Sequence, residues 1–211
     1  LCINMGVPQA CILQKADYSV GEAWLPQYLG PDIDQAKGIE KFMRDVWYPQ
    51  CDTRGGMFDW WKVLELSSIC IDREGEIFWV MIKGDDDFPR IQLIPSHRCH
   101  SGDWENGKAA PHYVPTGKYA GLRICDGIIY NKYGRPAAYR FQVGYDKVPQ
   151  MVEIPAFDVI HVFDPTHCEQ GRGLPAFTHA LESLKMSLFS TEDERIRQQL
   201  ISRMHLTIFN D

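Results

Sequence analysis

The sequence predicts an α+β fold with a mainly antiparallel sheet. Two stretches of helical spacing come first, a run of about six short strand-like segments follows, and one long helical stretch closes the chain. Strands that cluster instead of alternating with helices indicate an antiparallel sheet.

The elements follow in order. Residues 1–31 hold Gly6, Pro8, Gly21, Pro26, Gly30 and Pro31 and read as irregular chain or short strands. Asp32 is placed as a helix N-cap, with Gln35 at the reciprocal capping-box position. From there Ala36, Ile39, Phe42, Met43, Val46 and Trp47 keep helical spacing until Pro49 stops it. After a loop at 51–56, a second helix is predicted from 58 to about 71, with Trp60, Trp61, Leu64 and Ser68 along one side.

The period then changes. Residues 76–83, Glu-Ile-Phe-Trp-Val-Met-Ile-Lys, are β formers, apolar on both faces, and predict a buried strand. Residues 84–87 turn the chain into a strand at 90–94. Residues 95–120, rich in Gly, Pro, His and polar side chains, read as a long loop, a kind of segment that is usually functional or mobile. Residues 122–131 and 136–144 flank a turn at 132–135 and predict a hairpin. Strands at 151–154 and 159–163 complete the set, and 164–173 is a loop. From 174 to about 204 Phe177, Leu181, Leu184, Leu188, Ile196, Leu200 and Met204 repeat at helical spacing. Thr191 with Glu194 either caps a second helix there or lies inside one long bent helix. The chain thus reads as one domain, 1–211, divided into an irregular segment (1–31), a helical part (32–72), a β-rich part (73–165) and a terminal helical part (174–209).

Composition supports a packed core and narrows the function. The chain is 45% hydrophobic with six Trp, enough apolar surface for a sizeable core. Its net charge of −6, without a Lys/Arg cluster, argues against a grip on nucleic-acid phosphates. Arg195 and Arg197 stand beside Glu192, Asp193 and Glu194 and read as a solvated helix face. The seven Cys (2, 11, 51, 70, 99, 125 and 168) are scattered, without Cys-x-x-Cys, which is no disulfide framework and fits a reducing cytosol. The longest apolar stretch near the start, 10–13, is too short for a signal or a membrane span. A soluble intracellular protein is expected, and the opening residue Leu1 suggests a fragment or a processed product.

Candidate chemistry is sparse. His97, Cys99 and His100, with His112, could ligate zinc, but they lack the paired spacing of ribbons and fingers, and the segment reads as a polar loop. His161 alternates within a strand and is expected to hydrogen-bond a neighbour. His167 and Cys168 are adjacent in a loop, which does not set thiolate against imidazole with an orienting third group. Asp85, Asp86 and Asp87 lack the calcium-loop pattern and read as a solvated hairpin tip. P-loop, Gly-x-Ser-x-Gly and His-Glu-x-x-His motifs do not occur. Gly171-Arg172-Gly173 could hold a phosphate at a helix start; the preferred reading is that Arg172 docks on an acidic neighbour. No catalytic residue, metal or cofactor is expected. A metal-dependent hydrolase and a monomeric protein-binding adaptor using the 95–120 loop are the competing readings.

Five segments, in this order and spacing, carry a resemblance. They are Asp-Arg-Glu-Gly-Glu-Ile-Phe-Trp-Val (72–80), Ile-Gln-Leu-Ile-Pro-Ser-His-Arg (91–98) and Gly-Ile-Ile-Tyr-Asn-Lys-Tyr-Gly-Arg-Pro-Ala-Ala-Tyr (127–139). Ile-Pro-Ala-Phe-Asp-Val-Ile-His-Val-Phe-Asp (154–164) and Gln-Gly-Arg-Gly-Leu-Pro-Ala-Phe (170–177) complete them. Together they resemble the lambda-type portal proteins of tailed bacteriophages over about residues 35–209. The matching motif positions are Gly75, Glu76, Gly134, Arg135, Pro136, His161, Gln170, Arg172 and Gly173; Ser96 stands where an acidic residue is common. The resemblance implies a structural subunit, not an enzyme, of a dodecameric ring at the portal vertex of the virion, assembled in the host bacterial cytoplasm. It implies partners in terminase, capsid or scaffold proteins and head-completion proteins, with double-stranded DNA passing through the channel and no membrane. It places this segment in the wing of the subunit, with stem and clip expected mostly beyond residue 211.

Overall fold

A computed structural model describes residues 6–21, 27–84, 86–102, 112–144 and 150–204. The chain divides into two compact units, Leu1–Pro175 and Ala176–Asp211. Asp85, Cys2, Trp104 and the rest of 103–111, and the end of the last predicted helix at 205–209 lie outside the described residues.

The fold is α+β, as the pattern of segments requires. In the first unit the order is α1 (Gly6–Val20), α2 (Ile33–Phe42), α3 (Trp60–Glu74), β1 (Glu76–Lys83), β2 (Pro89–Pro95), β3 (Arg123–Cys125), β4 (Ile128–Tyr130), β5 (Pro136–Val143), β6 (Gln150–Pro155) and β7 (Val159–Phe163). The strands form two antiparallel sheets, β2-β1-β7 and β3-β4-β5-β6, where one sheet of about six strands was expected.

Three corrections have local physical causes. The sequence of 1–31 predicts irregular chain or short strands, yet 6–20 form α1. Pro8 lies in the first turn, where its missing N–H would have no intrahelical partner, so it does not oppose a helix. Ile12 and Ala16 are buried, the helix packs along α3, and Lys15 Nζ bonds Asp72 Oδ1 at 2.6 Å. Second, the strand expected at 122–131 is two strands. Asp126 (φ 48°) and Gly127 (φ 86°) both take left-handed backbone and turn β3 into β4, the hairpin favoured by an Asp-Gly pair. Third, the helix begun by Asp32 widens after Phe42 into a π turn over Met43–Trp47 and tightens into a 3₁₀ turn over Tyr48–Gln50 around Pro49.

The start of α2 is where the sequence predicts it, whereas α3 runs to Glu74, past the predicted end near 71, and the last helix begins at Leu181 instead of 174. Asp32 Oδ1 accepts from the N–H groups of Asp34 and Gln35, capping α2. Asp59 caps α3 by accepting from Lys62 N at 2.8 Å. Gly75 ends α3 with φ 91°, its N–H reaching Ile71 O.

The first unit is layered, and β1 lies at its centre. Trp79 on one face of β1, with Ile91 and Leu93 of β2, meets Trp47, Tyr48, Trp60 and Val63 on the helical side. Phe78 and Val80 on the other face meet Ile128, Tyr139 and Phe141 of the second sheet. The far side of that second sheet, at Ile124, Ile129 and Ala138, is covered by Val114, Tyr119 and Leu122. A strand buried on both faces must be apolar on both, which is what residues 76–83 show.

The second unit holds a 3₁₀ turn (Thr178–Ala180) and α4 (Leu181–Met204). The helix is continuous through Thr191, whose Oγ1 donates to Leu188 O at 2.8 Å, so of the two readings the single helix is found. Among the described residues, no helix is long and apolar enough to cross a membrane.

Candidate functional site

The αL turn at Gly75 delivers the first residue of β1, Glu76, to the interior, with its side chain 1% exposed. A buried carboxylate needs counter-charge and donors on both oxygens. Three segments supply them. From β7, His161 Nε2 lies 2.9 Å from Glu76 Oε2. From the 3₁₀ turn after β2, Ser96 Oγ donates to Oε1 at 2.8 Å. From the loop after β7, Arg172 Nε donates to Oε1 at 2.5 Å and the Gly173 N–H donates to Oε2 at 2.8 Å.

The guanidinium of Arg172 is used further. It donates to the carbonyls of Ser96 (3.1 Å), Cys99 (3.0 Å) and Asp126, and to Ser96 Oγ. Its plane lies 5.7 Å from the Phe78 ring centroid. One side chain therefore ties β1 of the first sheet, the turn after β2 and the β3–β4 turn of the second sheet. Gln170 Nε2 donates to Arg172 O at 2.8 Å and steadies the loop. The His161 ring stacks on Phe78 (4.3 Å between centroids) and tilts against Phe163 at 4.4 Å.

Backbone approach is equally specific. A Cβ on Gly75 would lie 2.6 Å from the carbonyl carbon of Gly173, and one on Gly173 would collide with the Gly75 carbonyl. Only a pair of glycines lets these two strands of chain touch.

The charges have a clear balance. Burial alone would raise the Glu76 carboxyl; hydrogen bonds from His161 and Arg172, the Arg172 charge and the Gly173 N–H outweigh it and hold the group at about 2. For Arg172, burial works to lower the pKa, and the bonds and charge of Glu76 leave it raised. The Cys99 thiol is pushed up by burial to about 12 and stays protonated.

Six of the motif positions, Gly75, Glu76, His161, Gln170, Arg172 and Gly173, thus meet at one place although they span 75–173 in sequence. The other three do not. Gly134 (φ 79°), Arg135 and Pro136 form the β4–β5 turn, where Asn131 Oδ1 accepts from the N–H groups of Tyr133 and Arg135. Arg172 docks on an acidic neighbour, as preferred over phosphate binding.

The zinc candidates have other partners. His97 Nδ1 lies 3.9 Å from Glu74, and His100 sits between Gln142 Oε1 (2.9 Å) and the Gly102 N–H (3.2 Å). Among the described residues no group of His, Cys, Asp or Glu is arranged to hold a metal ion. His167 and Cys168 lie in exposed loop, and Asp86 pairs with Arg90 at 2.7 Å.

Sequence reasoning missed Ser96, Cys99 and Asp126 as members of the network. Ser96 was visible as a departure from the motif; the Asp126-Gly127 pair was a turn signal. The carbonyls of Cys99 and Asp126 carry no side-chain signal at all.

The arrangement is a buried ion pair with a hydrogen-bond network that joins three segments of the first unit. No curated protein matches the chain. The family described as phage portal protein, lambda family, matches over residues 1–211, the whole length. The convergence of the motif residues on a structural network and the match across the entire sequence lead to one conclusion: this chain belongs to the lambda family of phage portal proteins.

Proposed function

We propose that the chain is the wing part of a structural subunit of the portal ring, the channel through which terminase drives genomic DNA into the capsid and through which it later leaves. The observation that carries this reading is the family match over all 211 residues. In this reading the subunit acts by packing, not catalysis. It associates with copies of itself into a dodecamer at the portal vertex, contacts capsid or scaffold and head-completion proteins, and assembles in the host cytoplasm. The motif residues around Glu76 serve as the joint that keeps the two sheets in fixed relation. The acidic composition suits a protein beside which DNA must slide, since phosphate contacts add affinity and drag.

The test is the mass of the full-length subunit in solution, by light scattering with negative-stain images. Rings with a central hole are the expected result. A clean monomer or dimer would overturn the ring reading.

A further inference from the structure

Residues 164–175 run from the end of β7 across the start of β1 as a strap. None of these described residues is buried: 164–169 are exposed, 170–173 are half-buried and Leu174 is 47% exposed. No side chain of the strap is fully buried, so apolar burial contributes less to holding it than to holding the strands beneath. Its polar attachments include the Arg172 fork and the Gly173 N–H. Segments with few buried apolar contacts open at a small fraction of the global unfolding free energy. The strands beneath, with Phe78 and Phe141 fully buried, do not share that weakness.

What the strap leaves behind decides how it opens. Glu76 belongs to β1 and stays inside, with His161 of β7 (side chain 7% exposed) at 2.9 Å and Ser96 at 2.8 Å. When Arg172 departs it carries its charge into solvent, and the buried carboxylate loses its guanidinium. A carboxylate left uncompensated in an apolar site takes up a proton or draws one onto a neighbour. The groups able to answer are few. Cys99 and Tyr139, both pushed by burial to about 12, stay neutral at ordinary pH. Glu74, which accepts from the Ser96 N–H, adds negative charge nearby. Arg140 is engaged with Glu153 at 2.6 Å, and Asp126 contributes its backbone carbonyl and a carboxylate of the same sign as Glu76. From the strap itself, His167 and Glu169 are exposed. The proton goes to the buried Glu76 carboxylate.

We propose that residues 164–175 are a proton-linked strap: closed when Arg172 sits on Glu76, and released with uptake of one proton by the buried Glu76 carboxylate. The balance is simple. The closed form holds carboxylate and guanidinium together; the open form holds the same pair of side chains apart plus one proton from water. Acid therefore favours opening, by up to roughly tenfold per pH unit for a single linked proton. The device does not depend on ring formation.

The experiment is hydrogen exchange read by mass spectrometry on the intact protein at pH 7.5 and pH 5.5, with intrinsic exchange rates corrected for pH. In the wild type, strap amides should open more often at the lower pH, while amides of β1 and β5 keep their protection. In Glu76→Gln, where no charge is stranded, strap opening should lose its pH dependence. PH-independent strap opening in the wild type, or equal pH dependence in Glu76→Gln, would overturn the proposal. Should Glu76→Gln not fold, Arg172→Lys keeps the charge and removes the fork. Strap protection should then fall at least severalfold with β1 and β5 unchanged, and unchanged strap protection would be fatal to the idea.

Discussion

Glu76 is the residue on which most of the site depends, and its depressed pKa makes a stability statement. The group is held at about 2 in the fold against an ordinary value of 4.5. Because the folded value is the lower one, its contribution is fully present above about pH 4.5 and is lost as pH falls toward 2. The difference corresponds to about 3 kcal/mol, with each pKa unit worth about 1.4 kcal/mol. Denaturant titrations at pH 7 and pH 3 should show a steeper loss in the wild type than in Glu76→Gln; parallel losses would mean that Glu76 is not the linked group. Removing the partner tests the same pair from the other side. Arg172→Met strands a buried carboxylate and should destabilise by about 3–5 kcal/mol at pH 7. That penalty should shrink at pH 3, where the stranded group can be neutralised. The docking of Arg172 on an acid was legible in the sequence, since an Arg between two glycines has few other uses. Its partner was not, because 96 residues separate the two and spacing carries no information at that range.

Among the elements, those with strong local signals were legible and those decided by packing were not. Asp32 caps its helix through a side-chain acceptor as the sequence predicts, and β1 announces itself by being apolar on both faces; Asp59, which caps α3, is not among the predicted caps. The predicted second helix nevertheless began one residue before its Asp59 cap and stopped short of Gly75, whose left-handed turn is what ends it. α1 went unread because its apolar periodicity is weak: burial of Ile12 and Ala16 against α3, a tertiary effect, makes it a helix. The split of 122–131 into β3 and β4 was readable from Asp126-Gly127 but masked by Ile124, Ile128 and Ile129, which read as one continuous apolar run. The caps give an element-scale prediction. Asp59→Ala removes the acceptor for Lys62 N and should lower stability by about 1 kcal/mol, with Asp59→Asn or Asp59→Ser retaining most of it. Thermal melts of the three variants check this, and equal losses in all three would assign the effect to charge or packing instead of capping.

At the scale of the whole chain, the α+β class followed from element order alone, while the division of the strands into two sheets did not. That division comes from the sequence of neighbours across the Phe78–Phe141 core, which no periodicity encodes. Charge, by contrast, is a whole-molecule property that the sequence states outright, and it leads to a prediction that structure only sharpens. Binding to duplex DNA through phosphates releases counter-ions, so the logarithm of affinity falls with the logarithm of salt at about 0.9 per phosphate neutralised. This chain carries −6 overall. Several of its described basic side chains are engaged at home: Arg172 on Glu76, Arg140 on Glu153, Arg90 on Asp86, Arg73 on Glu74 and Lys15 on Asp72. Anisotropy titrations with labelled duplex should therefore give weak binding at about 0.15 M salt, where the Debye length is about 8 Å, and a salt slope close to zero. A slope of about 5 or more would mean that five or six cations are brought to the phosphates together, and would overturn this reading.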